Sequence, residues 1–343
     1  PEEALSRFWR LADPLFLTPG NERLAEHLAR RFASSFLAEA ASTMAIGWNR
    51  SRESILLRYG FVAKWERARP QINEVGGGPV VLHWHPESRN LLPPLEVLED
   101  PGGVPEGVWL PTDTGTRSAS APVLAPLVVG GRAQTATLRR DGDLLIVAAF
   151  GTPTDTVLQE SREPPREGDE ADLSEPWFPP WDLPGDGGSP DTLSGLFLLP
   201  AEASWGPMGV LGASASGTLQ VRVPPGEYLL SMELWNPAGR WGARVRHGVR
   251  GEEIPPDVPT LSDLLLLRPE EALPRNLEEA LPRMKPETTM ASDERVTVGW
   301  EVYGLGLRGE PLTFRLSLVG EEGSLIRRAF KWTGLFNKAP PLT

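Results

Sequence analysis

Residues 132–150 read RAQTATLRRDGDLLIVAAF, and this stretch decides the fold. Residues 132–139 and 143–150 are two strand-like runs separated by Asp141-Gly142. That dipeptide suits the positive φ angles of a tight hairpin loop, so the stretch predicts an antiparallel hairpin. Working outward, further strand candidates are 194–199, 217–223, 227–235, 240–247, 260–267, 296–303, 311–319 and 325–332. Gly and Pro turns separate several of them at the spacing of a β-sandwich. Residues 261–267 are almost all apolar, which predicts a central strand. Upstream, 61–67 and 80–85 read as strands on either side of Gly76-Gly77-Gly78.

Composition agrees with many short strands and turns: 35 Gly and 36 Pro among 343 residues. The length suggests two to three compact units at about 150 residues each. Forty per cent hydrophobic and 23% charged residues permit a sizeable core. No apolar run approaches the roughly 18 residues of a spanning helix, so membrane contact is expected only peripherally or through partners. A net charge of −12 argues against nucleic acid. The absence of Cys removes disulfides, thiolate metal sites and a thiol nucleophile. Twelve Trp against three Tyr mark either a core or interfaces. The chain starts at Pro1 rather than Met, so no leader is visible; the absence of Cys fits an extracytoplasmic protein of the periplasm or cell envelope, which is the expectation.

The first forty-odd residues are the only strongly helical part. Thr18-Pro19 predicts a helix start. Leu24, Leu28, Phe32 and Phe36 then recur every fourth residue as an apolar stripe, with Arg23, Glu26, Arg30 and Arg31 off it. A shorter helix with Leu5, Phe8 and Trp9 precedes it. A third begins near Ser51 and ends at Tyr59-Gly60.

Residues 151–193 carry 11 acidic and two basic residues with eight prolines. This is an acidic, Pro-rich loop or linker that cannot fold alone. In its middle, Trp177-Phe178-Pro179-Pro180-Trp181 reads either as a knot tucked onto its own domain or as a partner anchor. Glu270-Glu271-Ala272-Leu273-Pro274-Arg275 recurs as Glu278-Glu279-Ala280-Leu281-Pro282-Arg283, a surface connection rather than a continuous helix.

Candidate chemistry is sparse. His83 and His85 would share one face of a strand and could meet a metal ion, with Glu87 or Glu74 as a third ligand; two hydrogen-bonded or exposed histidines are the plainer account. Gly304-Leu305-Gly306-Leu307-Arg308-Gly309 has dinucleotide-loop spacing, but a strand pattern follows where a helix is needed. A Ser-His-Asp triad would have to recruit His27, His83, His85 or His247. No catalytic residue, cofactor or resident metal is expected.

Two surfaces are more informative. Arg240, Arg244 and Arg246 share one strand face, expected to meet solvent and to hold the acidic loop or an acidic partner. Trp241, Ala243, Val245 and His247 share the other face. At the C-terminus Arg327, Arg328 and Lys331 interleave with Phe330, Trp332 and Phe336, either as part of the sandwich or as a basic, aromatic docking segment.

Phe8-Trp9, Asp13-Pro14, Thr18-Pro19, Asn21-Glu22, Gly47-Trp48 and Tyr59-Gly60 together resemble the GWxTD-domain family of bacterial proteins, over roughly residues 5–70. Gly47, Trp48, Arg52, Tyr59 and Gly60 match the family's motif. Arg50 and Ser51 stand where Thr and Asp are usual, and Glu53 where Gly is usual, so any site role of that Thr-Asp pair is missing here. The resemblance implies an exported protein and confers no enzymatic activity. Physically, the matching residues serve as apolar anchors, tight turns and helix starts.

The expected fold is α+β: a helical N-terminal module (1–100), then antiparallel β-sandwich material (105–150 and 194–343). The expected function is a non-catalytic accessory or scaffold protein of a larger extracytoplasmic or membrane-associated assembly. The alternatives are a carbohydrate or small-ligand module using Trp205, Trp235 or Trp241, and a metal hydrolase using His83 and His85.

Overall fold

The fold is drawn from a computed structural model that describes residues 2–40, 47–62, 64–68, 80–84, 89–90, 92–105, 107–109, 112–113, 127–153, 192–201, 208–212, 216–255, 258–291 and 293–304. Helices α1 (Glu2–Leu11), α2 (Glu22–Glu39) and α3 (Arg50–Tyr59) open the chain. Strand β1 (Lys64–Ala68) pairs with β2 (Val80–Trp84), and β3 (Arg89–Asn90) with β4 (Thr112–Asp113). Between β3 and β4 lie α4 (Leu95–Glu99) and a 3-10 turn at Pro101–Gly103. The architecture is α+β, and no described helix is long and apolar enough to cross a membrane.

The 132–150 hairpin forms as the sequence predicts. After β5 (Leu127–Gly130), β6 (Arg132–Arg140) pairs with β7 (Asp143–Gly151), Arg140 opposite Asp143. The two loop residues have φ of 50° at Asp141 and 90° at Gly142, the positive pair that a two-residue loop requires. The remaining long strands are β8 (Leu193–Pro200), β9 (Met208–Gly212), β10 (Gly217–Val223), β11 (Gly226–Asn236) and β12 (Trp241–Gly251). They form a three-stranded sheet, β10-β7-β6, and a five-stranded sheet, β5-β12-β11-β8-β9. Every pairing is antiparallel except β5 with β12.

The two sheets pack face to face. Leu144, Ile146, Ala148 and Phe150 of β7 meet Leu196 and Leu198 of β8, Leu230, Met232 and Leu234 of β11, and Ala243 and Val245 of β12. The alternate residues of β7, Leu145, Val147 and Ala149, face the other way and pack on Leu265, Leu267, Ala280 and Met284. Strand β7 is therefore buried on both faces, which is why its sequence is an unbroken apolar run rather than an alternation.

That second layer comes from the C-terminal part of the described chain. Strand β13 (Thr260–Leu261) pairs with β16 (Val302–Tyr303), and β14 (Leu265–Leu267) with β15 (Thr297–Gly299). Residues 260–267 are thus not the central strand expected. Leu265 and Leu267 reach the core, but Leu261 and Leu264 stay exposed, and the chain breaks between the two short strands. Buried Gln134 holds this layer to β6. Its amide donates to the carbonyls of Leu266 (2.9 Å) and Lys285 (2.8 Å) and accepts the Leu266 N–H (2.6 Å), doing the work of a peptide group.

The outer face of the five-stranded sheet is covered as well. Leu199 and Leu229 pack there with Leu11, Val97, Val104 and Trp109, while Leu15 packs with Val128 and Trp235. The N-terminal segment therefore does not stand apart from the sandwich; residues 11–17 lie across it.

Candidate functional site

Three regions hold the chemistry of the described residues. The first lies under the N-terminal segment. Ser231 and Glu233 of β11 stand opposite Arg246 and Arg244 of β12, and all four side chains are buried. Arg246 donates to Glu233 Oε1 (2.9 Å), to Ser231 Oγ (2.8 Å) and to the carbonyls of Leu11 and Pro14. Glu233 also accepts the Ser231 hydroxyl (2.6 Å) and the Leu17 N–H (3.1 Å). Arg244 donates to the Pro14 carbonyl at 2.8 Å. Phe16 lies 4.3 Å from the Arg246 guanidinium, and Trp109 lies 5.0 and 5.2 Å from those of Arg246 and Arg244.

This corrects the expectation of a solvent-facing basic surface. Arg244 and Arg246 are covered by residues 11–17 and Trp109, because the sheet is packed on both sides. Only Arg240 is exposed, in the turn between β11 and β12. Burial pushes the Arg244 guanidinium well below its ordinary value, aided by Arg246 beside it. Its Nε and Nη2, and the indole N–H of Trp109, have no hydrogen-bond partner among the described residues. Burial also raises Asp13 to about 7, against the lowering field of Arg246. The cluster is a clasp between the N-terminal segment and the sheet.

The second region is α2, which sits on the protein with its polarity reversed. The helix begins at Asn21, whose side chain accepts the Leu24 N–H (2.8 Å), and not at Thr18-Pro19. Thr18 instead donates its hydroxyl to the Leu15 carbonyl. The face turned inward carries Arg23, Arg30 and Ser34, all buried. Arg30 bonds Glu26 (2.6 Å) and reaches the end of α3, where Gly60 leaves room for the guanidinium and the carbonyls of Leu57 and Arg58 accept from it. This is a cation placed where a helix leaves carbonyls unpaired. Burial lowers Arg23 to about 10, and its guanidinium lies 5.7 Å from the Trp9 ring. The apolar stripe points outward. Leu28, Phe32 and Phe36 are 56%, 68% and 61% exposed, and the two Phe rings stack edge to face at 4.8 Å.

The third region is a cavity of about 150 Å³ between β6 and β12. Its apolar walls are Ile146, Leu230 and Val249, and Thr135, His247 and Asp263 are among its polar groups. His247 Nδ1 lies 2.9 Å from the Gly248 carbonyl, which only accepts, so that nitrogen carries a proton. In the neutral ring, Nε2 then accepts the Thr135 hydroxyl at 2.8 Å. Both ring nitrogens are satisfied.

No family model, curated protein or solved structure matches this chain. The resemblance to the GWxTD-domain family therefore rests on its own residues, and those with described contacts are structural. Asn21 caps α2 and donates to the Trp9 carbonyl (2.6 Å), Trp9 packs on His27 and edge-on to Phe8, and Gly60 ends α3 at φ 84°. Arg50 and Ser51 open α3 behind its cap, Asn49.

The other candidates divide by location. His83 stands opposite Trp65 in the β1–β2 ladder. His85, Trp205, Trp177, Phe178, Trp181, Arg327, Arg328, Phe330, Lys331, Trp332 and Phe336 lie outside the described residues. Among the described residues no three His, Asp or Glu side chains gather as metal ligands. Trp241 is buried in the sandwich core and Trp235 packs beside Leu15, so the two do not form the open pair of rings a sugar platform needs. Sequence reasoning missed Glu233. Its signal was a carboxylate and a serine on one strand of a hairpin, mirrored by two arginines on the other.

Proposed function

We propose that this chain is a non-catalytic accessory or scaffold protein that docks onto a larger extracytoplasmic or membrane-associated assembly. The observation that carries this reading is the reversed α2. A helix that buries two arginines and a serine while exposing Leu28, Phe32 and Phe36 has its hydrophobic face free for another surface. The stretch from Ala25 to Ala38 exposes only one charged residue, Arg31, and the hydroxyl of Ser35 at the edge of the face is turned back onto the Phe32 carbonyl. The aromatic segment at 177–181 and the basic, aromatic segment at 327–336 belong to the same proposal as further anchors.

The test is gentle native isolation from the source cells, followed by sizing and identification of what co-purifies. The assembly reading expects a species much larger than the chain's 37.5 kDa. Replacing Phe32 and Phe36 by Glu should release the chain from it. A native isolate that runs alone at its own mass sinks the reading.

A further inference from the structure

We propose that the outward face of α2 is where two copies of this chain meet, with the two helices antiparallel. The inference rests on the docking reading above and names the first partner of that face. Three observations carry it. The outward residues are Ala25, Leu28, Ala29, Phe32 and Phe36, all exposed: Ala25, Phe32 and Phe36 run along the middle of the stripe, with Leu28 and Ala29 on its two edges. Phe32 and Ser34 lie about 200° apart around the helix, so the apolar line is opposite the buried polar one.

Next, the line is graded in size. Its N-terminal half holds Ala25, Leu28 and Ala29, and its C-terminal half holds Phe32 and Phe36. An antiparallel copy sets Phe36 over Ala25 and Phe32 over Ala29, large against small, in both directions at once. This is the self-complementarity a two-fold interface requires. A parallel copy would stack Phe on Phe and leave Ala facing Ala across a gap.

Finally, the area fits. Leu28, Phe32 and Phe36, with Ala25 and Ala29, leave roughly 450 Å² open, so two copies bury at most roughly 900 Å², the size of a weak, transient interface. An interface of this size makes a reversible dimer rather than an obligate one.

The chain lacks cysteine, so introduced thiols report the register directly. About the axis set by those pairs, the two copies of position 29 lie only about 4.5 Å apart along the helices, and the two copies of position 25 about 16 Å apart. Under mild oxidation Ala29→Cys should form a disulfide-linked dimer and Ala25→Cys should not. A mixture of Ala25→Cys and Phe36→Cys chains should cross-link to each other. In sedimentation of the full chain from about 1 to 100 μM, the mass should rise from 37.5 kDa towards twice that value. Phe32→Glu should weaken association at least about tenfold while leaving the melting curve unchanged at concentrations where both proteins are monomeric, because the side chain is exposed.

A constant monomer mass across the range overturns the inference. So does self-linking of Ala25→Cys as efficient as that of Ala29→Cys. If the purified chain is a monomer while the native isolate is large, this inference fails and the docking reading stands. If both run as monomers, both fail.

Discussion

Glu233→Gln tests the clasp. Three donors converge on this buried carboxylate: the Ser231 hydroxyl, an Arg246 N–H and the Leu17 N–H. An amide offers one acceptor oxygen and turns an NH₂ towards donors that it cannot accept from. It also leaves two buried guanidiniums without their carboxylate. Breaking a buried pair from one side costs about 3–5 kcal/mol, since the surviving charge stays desolvated. For a domain of this size that is a fall in Tm of about 5–15 °C. Circular dichroism melting would read it, and limited proteolysis should show earlier cleavage near residues 11–17. Removing both charges, by Glu233→Leu with Arg246→Met, should recover most of the loss. A Tm for Glu233→Gln within about 1 °C of wild type would refute the reasoning. So would a double variant no better than the single one.

The remaining predictions concern other contacts. Asp13 has its folded-state pKa raised from 3.8 to about 7, so the stability it contributes is complete below pH 3.8 and is lost as pH rises through about 7. Asp13→Asn should therefore be the more stable protein at pH 8, by up to about 4 kcal/mol, with the gain vanishing towards pH 4; parallel denaturation curves across that range would count against this. Gln134→Leu strands the Leu266 peptide group and the Lys285 carbonyl and should cost about 3 kcal/mol in urea melts, whereas a loss below about 0.5 kcal/mol would mean that the C-terminal layer is held elsewhere. Gly248→Ala would drive a methyl into the backbone of Gly102 and Val104, so the variant should lose about 2 kcal/mol or more; wild-type stability would show that the 3-10 turn can shift freely.

The β part of the fold was legible because its signals are local. Asp141-Gly142 names its own turn, and 217–223 and 227–235 are bounded by Gly and Pro close to where the strands end, whereas the strand read at 240–247 runs on through Gly248 to Gly251. What alternation along a strand cannot say is which face meets solvent. Arg244 and Arg246 do share a face, as read, but a sheet covered on both sides has no solvent face at its centre, and only the mirrored Ser231 and Glu233 could have hinted at that. The same ambiguity governs α2. Periodicity finds the apolar stripe at once, but the direction it points depends on Trp9, Glu26 and the end of α3, none of which the period contains. Residues 261–267 misled for a related reason: a run of leucines records burial only if every one of them is buried.

The clasp also bears on how the chain is made. Leu17 and Glu233 are 216 residues apart, so the first helices leave the ribosome long before the strands that receive them. At typical synthesis rates of about 5–20 residues per second, that interval is roughly ten to forty seconds. Throughout it, Leu11, Leu15 and Phe16 have no sheet to cover them, and α2 shows its phenylalanines from the start. Residues 11–17 are thus made well before the sheet that covers them. In living cells, a holding chaperone has its longest opportunity at this end of the nascent chain.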